Sequence, residues 1–502
     1  MTNTTITKQE IRFKLKSSSE YGQASFASIV SLLLAVVFLL NSYSPAEGSF
    51  KPAVLAVSIV YFFFTLLQFA TWYLIRKNLV EGGEIKRSTR AIGYVLMLSL
   101  LSANVFVAAT AFQLVKRKKN AFYTLAAYAF ITTLLVFAVS ALNVFKPYVA
   151  DNFIIGMLLL IAAAVIQLAS LLLVAKYGDR DVLPRWMGII ALLLILTAVS
   201  GNLFALGLGL LLFSKLRDKD YTSGSKLGEV VEKLSRSSTS MLGLMFILFL
   251  LTISITSYLT FDYGLAIENN YSSILQPPSL VQPLGTDNFG RDLFSRIVFG
   301  ARISLIVGLL STLIPVVIGG ALGAISGYYG RQTDNIIMRA LDILYAIPGF
   351  LLAIAIIAAF GASTVNLIIA LSVGAIPTYA RTMRANVLLV STLEYVQAAR
   401  AFGSSDRTIL FKHIVPNSLA PMIVKSTLTI GTAVISTSSL SYLGLGVEPH
   451  IPEWGNILKL GSAYLETHAF TAIYPGLAII ALVLSFNFLG DGLRDALDPK
   501  LD

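Results

Sequence analysis

Cysteine is absent from the 502-residue chain, which excludes disulfides, thiolate metal sites and cysteine nucleophiles. Histidine is nearly absent too. His413, His450 and His468 are the only three, far apart and without the spacing of metal ligands. The phosphate cradle G-x-x-x-x-G-K-[ST] is missing, as is the dipeptide Gly-Lys itself, so the chain encodes no such machinery for hydrolysing ATP. Charge is scarce: Asp, Glu, Lys and Arg make up 13% of residues, against about a quarter in a soluble protein.

What fills the chain is apolar sequence, 56% of it hydrophobic, and this predicts an all-α, polytopic integral membrane protein. A spanning helix needs about 20 apolar residues. Stretches of that kind lie near 25–43, 53–75, 91–115, 121–143, 153–175 and 187–213, then near 241–260, 303–327, 343–361, 364–385, 420–445 and 471–490. They make about twelve transmembrane helices in two sets of six, giving an N-terminal six-helix extension over 1–213, a linker over 214–240 and a second membrane domain over 241–502. The net charge of +11 fits an excess of Lys and Arg in cytoplasmic loops, so no nucleic-acid partner is expected. The first 24 residues are polar and basic, and the apolar run after them has no small-residue cleavage site. They read as leading into a retained helix rather than as a signal peptide.

In the linker, Leu227, Val230, Val231 and Leu234 recur at i, i+3, i+4 and i+7 among Lys226, Glu229, Lys233 and Arg236. That is the pattern of a short amphipathic helix lying on membrane lipid; a solvated tether is the alternative. A cytoplasmic linker sets the alternation of the second six spans. The loop 261–302 then lies outside, and the segments around Arg331, Arg339 and 394–417 lie inside. The first six are less consistent. Arg76, Lys77, Lys86, Arg87 and Arg90 mark one loop as cytoplasmic, and Lys116, Arg117, Lys118 and Lys119 mark the next. Both cannot obey the positive-inside rule if 91–115 crosses once.

Residues 394–417, EYVQAARAFGSSDRTILFKHIVPN, are too polar for lipid. Residues 394–402 and 405–413 each suit about two helical turns. Gly403 with Ser404 and Ser405 supplies a turn, Ser405 an N-cap, and Pro416 is expected to end the second helix. The expected product is a helix–turn–helix elbow, with Ala398 and Ala399 giving a flat face that a partner's groove can approach. Gly319, Gly320, Gly323 and Gly327 either pack helices closely or line a path for varied side chains. Lys425, near the start of a span, is expected to snorkel to the cytoplasmic face.

The elbow resembles the EAA loop of ABC-importer permeases. Gln397, Ala398 and Ala399 stand where that loop has Glu-Ala-Ala, Gly403 follows at the family's spacing, and Pro416 is the terminal proline. Gln397, His413 and Val415 depart from the usual Glu, Ile and Leu. His413, within KHIVPN, matches the variant of the peptide and nickel importers. PLGTDNFGRDLFSRIVFGARISL (283–305), GYYGRQTDNIIMRALDILYAIPGFLLAI (327–354), SYLGLGVEPHIPEWG (441–455) and FNFLGDGLRDALDPKL (486–501) resemble the same branch, over about 235–502. The similarity is to its C-type dipeptide and oligopeptide permease subunits; residues 1–213 resemble no family.

The resemblance implies an ABC type I importer permease bundle, without cofactor, catalytic or metal site, in a bacterial or archaeal cell membrane. It implies as partners a second, B-type permease, two ATPase subunits, an extracytoplasmic binding protein and a peptide substrate. Gln397, Ala398, Ala399, Arg400, Gly403, Asp406, His413 and Pro416 would form the ATPase-coupling loop. Arg331, Asp334, Arg339 and Asp342 share one helical stripe and would edge the cytoplasmic mouth, with Pro348 bending the chain into the next span. Asp287, Arg291 and Asp292 either meet the binding protein or cap and pair locally. Nickel or another solute of the same branch is the alternative cargo. A stand-alone secondary transporter or channel is the alternative class, and such proteins carry ionisable residues in mid-membrane.

Overall fold

The computed structural model describes residues 18–44, 48–116, 120–180, 182–217, 226–448 and 450–497, together with Leu15. Arg117, Lys118 and Lys119 lie outside the described residues. Contacts divide the chain into two units: residues 1–139 with 157–249, and residues 140–156 with 250–502. Both are helical. Among the described residues the strands are the pairs Tyr43–Ser44 and Ser49–Phe50, joined as an antiparallel ladder.

The first unit holds α1 (Ser19–Ser42), α2 (Pro52–Gly82), α3 (Arg87–Leu96), α4 (Val105–Val115), α5 (Ala121–Ala141), most of α6 (Phe153–Tyr177), α7 (Met187–Thr197), α8 (Leu203–Arg217), α9 (Lys226–Arg236) and the start of α10 (Ser238–Thr260). Neither of the stretches 91–115 and 187–213 holds a helix long enough to cross a membrane. Each is a helical hairpin. In the first, Arg90 donates to the carbonyls of Leu114 (3.0 Å) and Lys116 (3.3 Å), and a Cβ on Gly93 would meet Val115 Cγ2 at 2.7 Å. The turn is made by Ala103 at φ 53°. In the second, a Cβ on Gly209 would lie 2.8 Å from the carbonyl of Ala191, and Gly201 turns the chain at φ 93°. Arms of 11 residues (α4, α7) rise about 16 Å, roughly half the hydrocarbon thickness.

The hairpin removes the conflict of charges. Lys86, Arg87 and Arg90 and, after it, Lys116 lie at the same end of the unit, so one side of the membrane satisfies all of them.

Each hairpin tip is tied to the middle of a long helix by an asparagine. Asn104 accepts from the Val107 amide (3.3 Å) and donates to Ser31 Oγ of α1 (2.8 Å). Asn202 accepts from the Ala205 amide (3.4 Å) and donates to the Ala129 carbonyl (2.8 Å) and Thr133 Oγ1 of α5 (2.9 Å). Buried Gln68 and Gln167 occupy matching places in α2 and α6, within Gln-Phe-Ala-Thr and Gln-Leu-Ala-Ser. The unit therefore repeats one arrangement twice: two long helices and a half-length hairpin.

The second unit continues with the end of α10, then α11 (Leu293–Tyr329), α12 (Arg331–Ala346), α13 (Gly349–Phe360), α14 (Thr364–Ser391), α15 (Glu394–Ala401), α16 (Val415–Tyr442), α17 (Trp454–Ser462) and α18 (Phe470–Leu497). Among the described residues, eight helices are long and apolar enough to cross a membrane. The pair α12–α13, bent by 80°, makes a ninth. The bend falls at Pro348, the residue the sequence marks for it. α14 is 28 residues long, about 42 Å; it is more polar than those eight, carrying Arg381 and Arg384, and does not belong to that set. Gly319 and Gly327 admit α14 closely: a Cβ would come within 2.6 Å of the Ile376 carbonyl and 2.9 Å of the Arg384 carbonyl. Of the two readings of this glycine row, close helix packing is the one observed.

Candidate functional site

The elbow follows directly from α14. α15 buries Val396 and packs Ala399 on the cluster of Tyr379, Met383, Val387, Ile409, Leu410 and Ile414, while Gln397, Ala398 and Arg400 remain exposed. Only one of the paired alanines thus contributes to an outer face. The helix ends in a Schellman closure: Ser404 N donates to the Ala399 carbonyl (3.1 Å) and Gly403 takes φ 79°, where a residue with a Cβ is strained. Ser405 caps the next turn, accepting from the Thr408 amide at 3.4 Å.

Beyond Thr408 the backbone widens into a π-helix over Ile409–Ile414 and runs on into α16. Pro416 does not end a helix, contrary to the sequence-based expectation. It stands at the second residue of α16, directly after the widened turn, within one continuous helix over Asp406–Tyr442. Two bonds fasten the hook to its base: Tyr328 of α11 donates to Asp406 Oδ1 (2.6 Å), and Tyr395 donates to the His413 carbonyl (3.2 Å). Gln397 Nε2 donates to the carbonyl of Thr392 (3.3 Å). What projects is Phe402, 90% exposed, together with Gly403, Asp406, Arg407 and Lys412.

The stripe on α12 divides by sign. Asp334 pairs with Arg384 of α14 (2.5 Å) and Asp342 with Arg381 (2.7 Å), whose guanidinium also stacks on Tyr345 at 4.0 Å. Arg331 and Arg339 take no part; Arg339 makes a 3.4 Å bond to Asn335 of its own helix. Sequence reasoning found the acids and missed their partners, which lie 39 and 50 positions along the chain.

At the opposite end of the unit, Asp287, Arg291 and Asp292 are sealed inside. Asp287 accepts from the Phe289 and Arg291 amides (2.9 and 3.0 Å) and from Arg291 Nε (2.8 Å), with Arg296 Nε at 3.5 Å. Asp292 caps α11, accepting from Ser295 N (2.8 Å) and Ser295 Oγ (2.6 Å). Of the two readings of this trio, local capping and pairing is the geometry observed. Asp292 also meets Lys146, which the sequence did not single out. Its ammonium lies 2.7 Å from Asp292 Oδ2 and 2.8 Å from Ser295 Oγ. Burial pushes its pKa down, and the Asp292 carboxylate opposes that shift. The surface over this knot presents Tyr271, Ile274, Leu280 and Val281, each at least 40% exposed.

A profile of the family described as "Binding-protein-dependent transport system inner membrane component" matches residues 319–502. The dipeptide transport system permease protein DppC of Alkalihalophilus pseudofirmus is 42% identical over 284 residues, 57% of this chain and 93% of that protein. The glutathione transport system permease protein GsiD of Pectobacterium atrosepticum is 41% identical over 286 residues, 57% of this chain and 94% of that protein. The chain belongs to this family of ABC-transporter permease components. It is a multi-pass membrane protein and a transport component rather than an enzyme. Among solved structures, an inward-facing MetNI methionine ABC transporter is matched at 22% identity and a TM-score of 0.34, over 40% of this chain and 96% of that one.

Proposed function

We propose that this chain is one of two unlike permease subunits of a peptide importer in a bacterial or archaeal cell membrane, driven by two separate ATPase subunits. The observation that carries the reading is the elbow. An exposed hook stands on a buried footing between α14 and α16, so a push on it moves two membrane helices together. Its outer residues, Gln397, Ala398, Arg400, Gly403 and Asp406, present little apolar area to their own chain and suit a groove on an ATPase. Gln397 takes the place of an acid without disturbing the helix, so the docking contact is less charged than the family pattern. The peptide cargo is supported by the dipeptide and glutathione permeases at 41–42% identity. The exposed Tyr271, Ile274, Leu280 and Val281 suit an extracytoplasmic binding protein.

The test is Ala398→Arg, chosen because Ala398 is exposed and the elbow's core does not need it. The variant chain should insert normally, lose co-purification with the ATPases and lose ATP-dependent peptide uptake. Full uptake by the variant would remove the elbow from the coupling.

A further inference from the structure

A polar stripe runs up the face of α16 that this chain leaves open. Lys425, Thr429, Thr432, Ser436 and Ser439 recur at i, i+4, i+7, i+11 and i+14 and fall within an arc of about 80°. Thr432 is exposed and the other four are half-exposed. Thr429 and Thr432 return their hydroxyls to carbonyls of their own helix (2.8 Å each); Lys425 is the ionisable member of the row, and such a group on a membrane helix faces protein or water rather than lipid tails. At the base of the stripe is a cavity of about 570 Å³, lined by Val424, Lys425, Leu428, Thr429, Thr432 and Arg494, a volume in the range of small-ligand sites.

Lys425 does not snorkel outward as the sequence suggested. It turns sideways and donates to the Thr378 carbonyl (2.8 Å) and Thr382 Oγ1 (2.7 Å) of α14, with the Tyr379 ring 5.0 Å away. Among the described residues neither Lys425 nor Arg494 is paired with a carboxylate. Two cations border one cavity whose lining holds no acid. The present partners of Lys425 are neutral oxygens, so its charge is solvated but not balanced, and a carboxylate would add an opposite charge to the hydrogen bond.

We propose that this stripe lines the translocation path and that Lys425 receives the terminal carboxylate of the transported peptide. The proposal rests on the peptide-import reading above and adds the residue that recognises one end of the cargo. An anionic phospholipid would also suit the two cations. Ser436 and Ser439, half-exposed on the same face above them, favour a wetted path.

The experiment uses the complete importer in proteoliposomes, supplied with a short peptide carrying a free carboxyl terminus or with its C-terminal amide. Each variant is compared with the wild type on the same peptide, which cancels the binding protein's own preference. Lys425→Met should lower free-acid uptake about tenfold, the effect of one charge-assisted contact, and amide uptake less than about twofold on the same scale. Lys425→Arg should retain most of the free-acid uptake. Equal loss on both peptides would make Lys425 a brace between α14 and α16 and overturn the proposal, as would no loss on either. Because the chain has no cysteine, Thr432→Cys gives a single thiol that a membrane-impermeant charged reagent should modify in the assembled complex. An unreactive thiol places the stripe against lipid or a neighbouring subunit and overturns the proposal without reference to transport. If the wild type hydrolyses ATP yet imports neither peptide, the cargo assignment fails and the carboxylate assignment with it, while thiol reactivity still decides the lining.

Discussion

Replacing Lys146 with methionine is the perturbation whose cost can be worked out most directly. The side chains of Lys146 and Asp292 are 3% and 5% exposed and 2.7 Å apart, between the rings of Phe294 and Phe261 at 5.3 and 5.7 Å from the ammonium. Removing one member of such a pair leaves a buried, uncompensated charge, at a cost of about 3–5 kcal/mol. Asp292 keeps its cap bonds to Ser295, so the loss should appear as local opening at the start of α11. Amide exchange over residues 286–297 should quicken by about two to three and a half decades, since about 1.4 kcal/mol is tenfold. Asp292→Asn alone should cost a similar amount by stranding the lysine, although asparagine still caps the helix. The double variant removes both charges and sets a methionine among the aromatic rings, so it should recover most of the loss. Exchange unchanged in Lys146→Met, or a double variant as damaged as the sum of the singles, would refute the pairing as the source of order. The result also bears on truncation. Deleting 1–213 removes the counter-charge of Asp292, so a truncated chain should need Asp292→Asn before its transport can be compared fairly.

Single cysteines at Lys86 and Lys116, in a chain that has none of its own, should be labelled from the same side of the membrane; labelling from opposite sides would exclude the hairpin. Asn104→Ala and Asn202→Ala should each lower the unfolding temperature in detergent, at a cost of about 1–3 kcal/mol for a lost cap and stranded partners, and the two losses should be alike if the modules are equivalent. Glu453 is fully buried and caps α17 through the Asn456 amide (3.0 Å), and burial pushes its pKa above the ordinary 4.5. The folded state then holds its proton longer than the unfolded state, so stability falls as the pH rises from about 4.5 to the raised value and levels off above it. Glu453→Gln should flatten that part of the stability–pH curve, and an unchanged slope would assign it to another group.

The elbow was legible because its signals are local. Gly403 and Ser405 state a turn and a cap within three residues, and those are the geometries found. Pro416 was misjudged because the helix runs on through it from a widened turn; that turn, over Ile409–Ile414, depends on what those side chains pack against, which spacing along the chain does not express. The partners of Asp334 and Asp342, and the Lys146–Asp292 pair, were illegible for a related reason. Each joins residues between 39 and 146 positions apart, and a charge pattern within one helix carries no information about the neighbour it will meet.

The hairpins show where apolar length stops being informative. A run of 25 apolar residues satisfies the requirement for a span whether it crosses once or folds back at its centre, because both bury the same composition. Two other signals separate the cases. One is charge: clusters at both ends of 91–115 contradict a single crossing, and the contradiction was visible in the sequence. The other is repetition. Ser-Ala-Asn-Val-Phe at 102–106 returns as Ser-Gly-Asn-Leu-Phe at 200–204, each with the turn residue and capping asparagine of a chain reversal in the middle of an apolar run. A polar cap buried at the midpoint of a hydrophobic stretch is costly unless a helix begins there. Taken with the charges, it specifies a half-length hairpin rather than a span, and the topology of the first unit follows from those ten residues and the lysines and arginines around them.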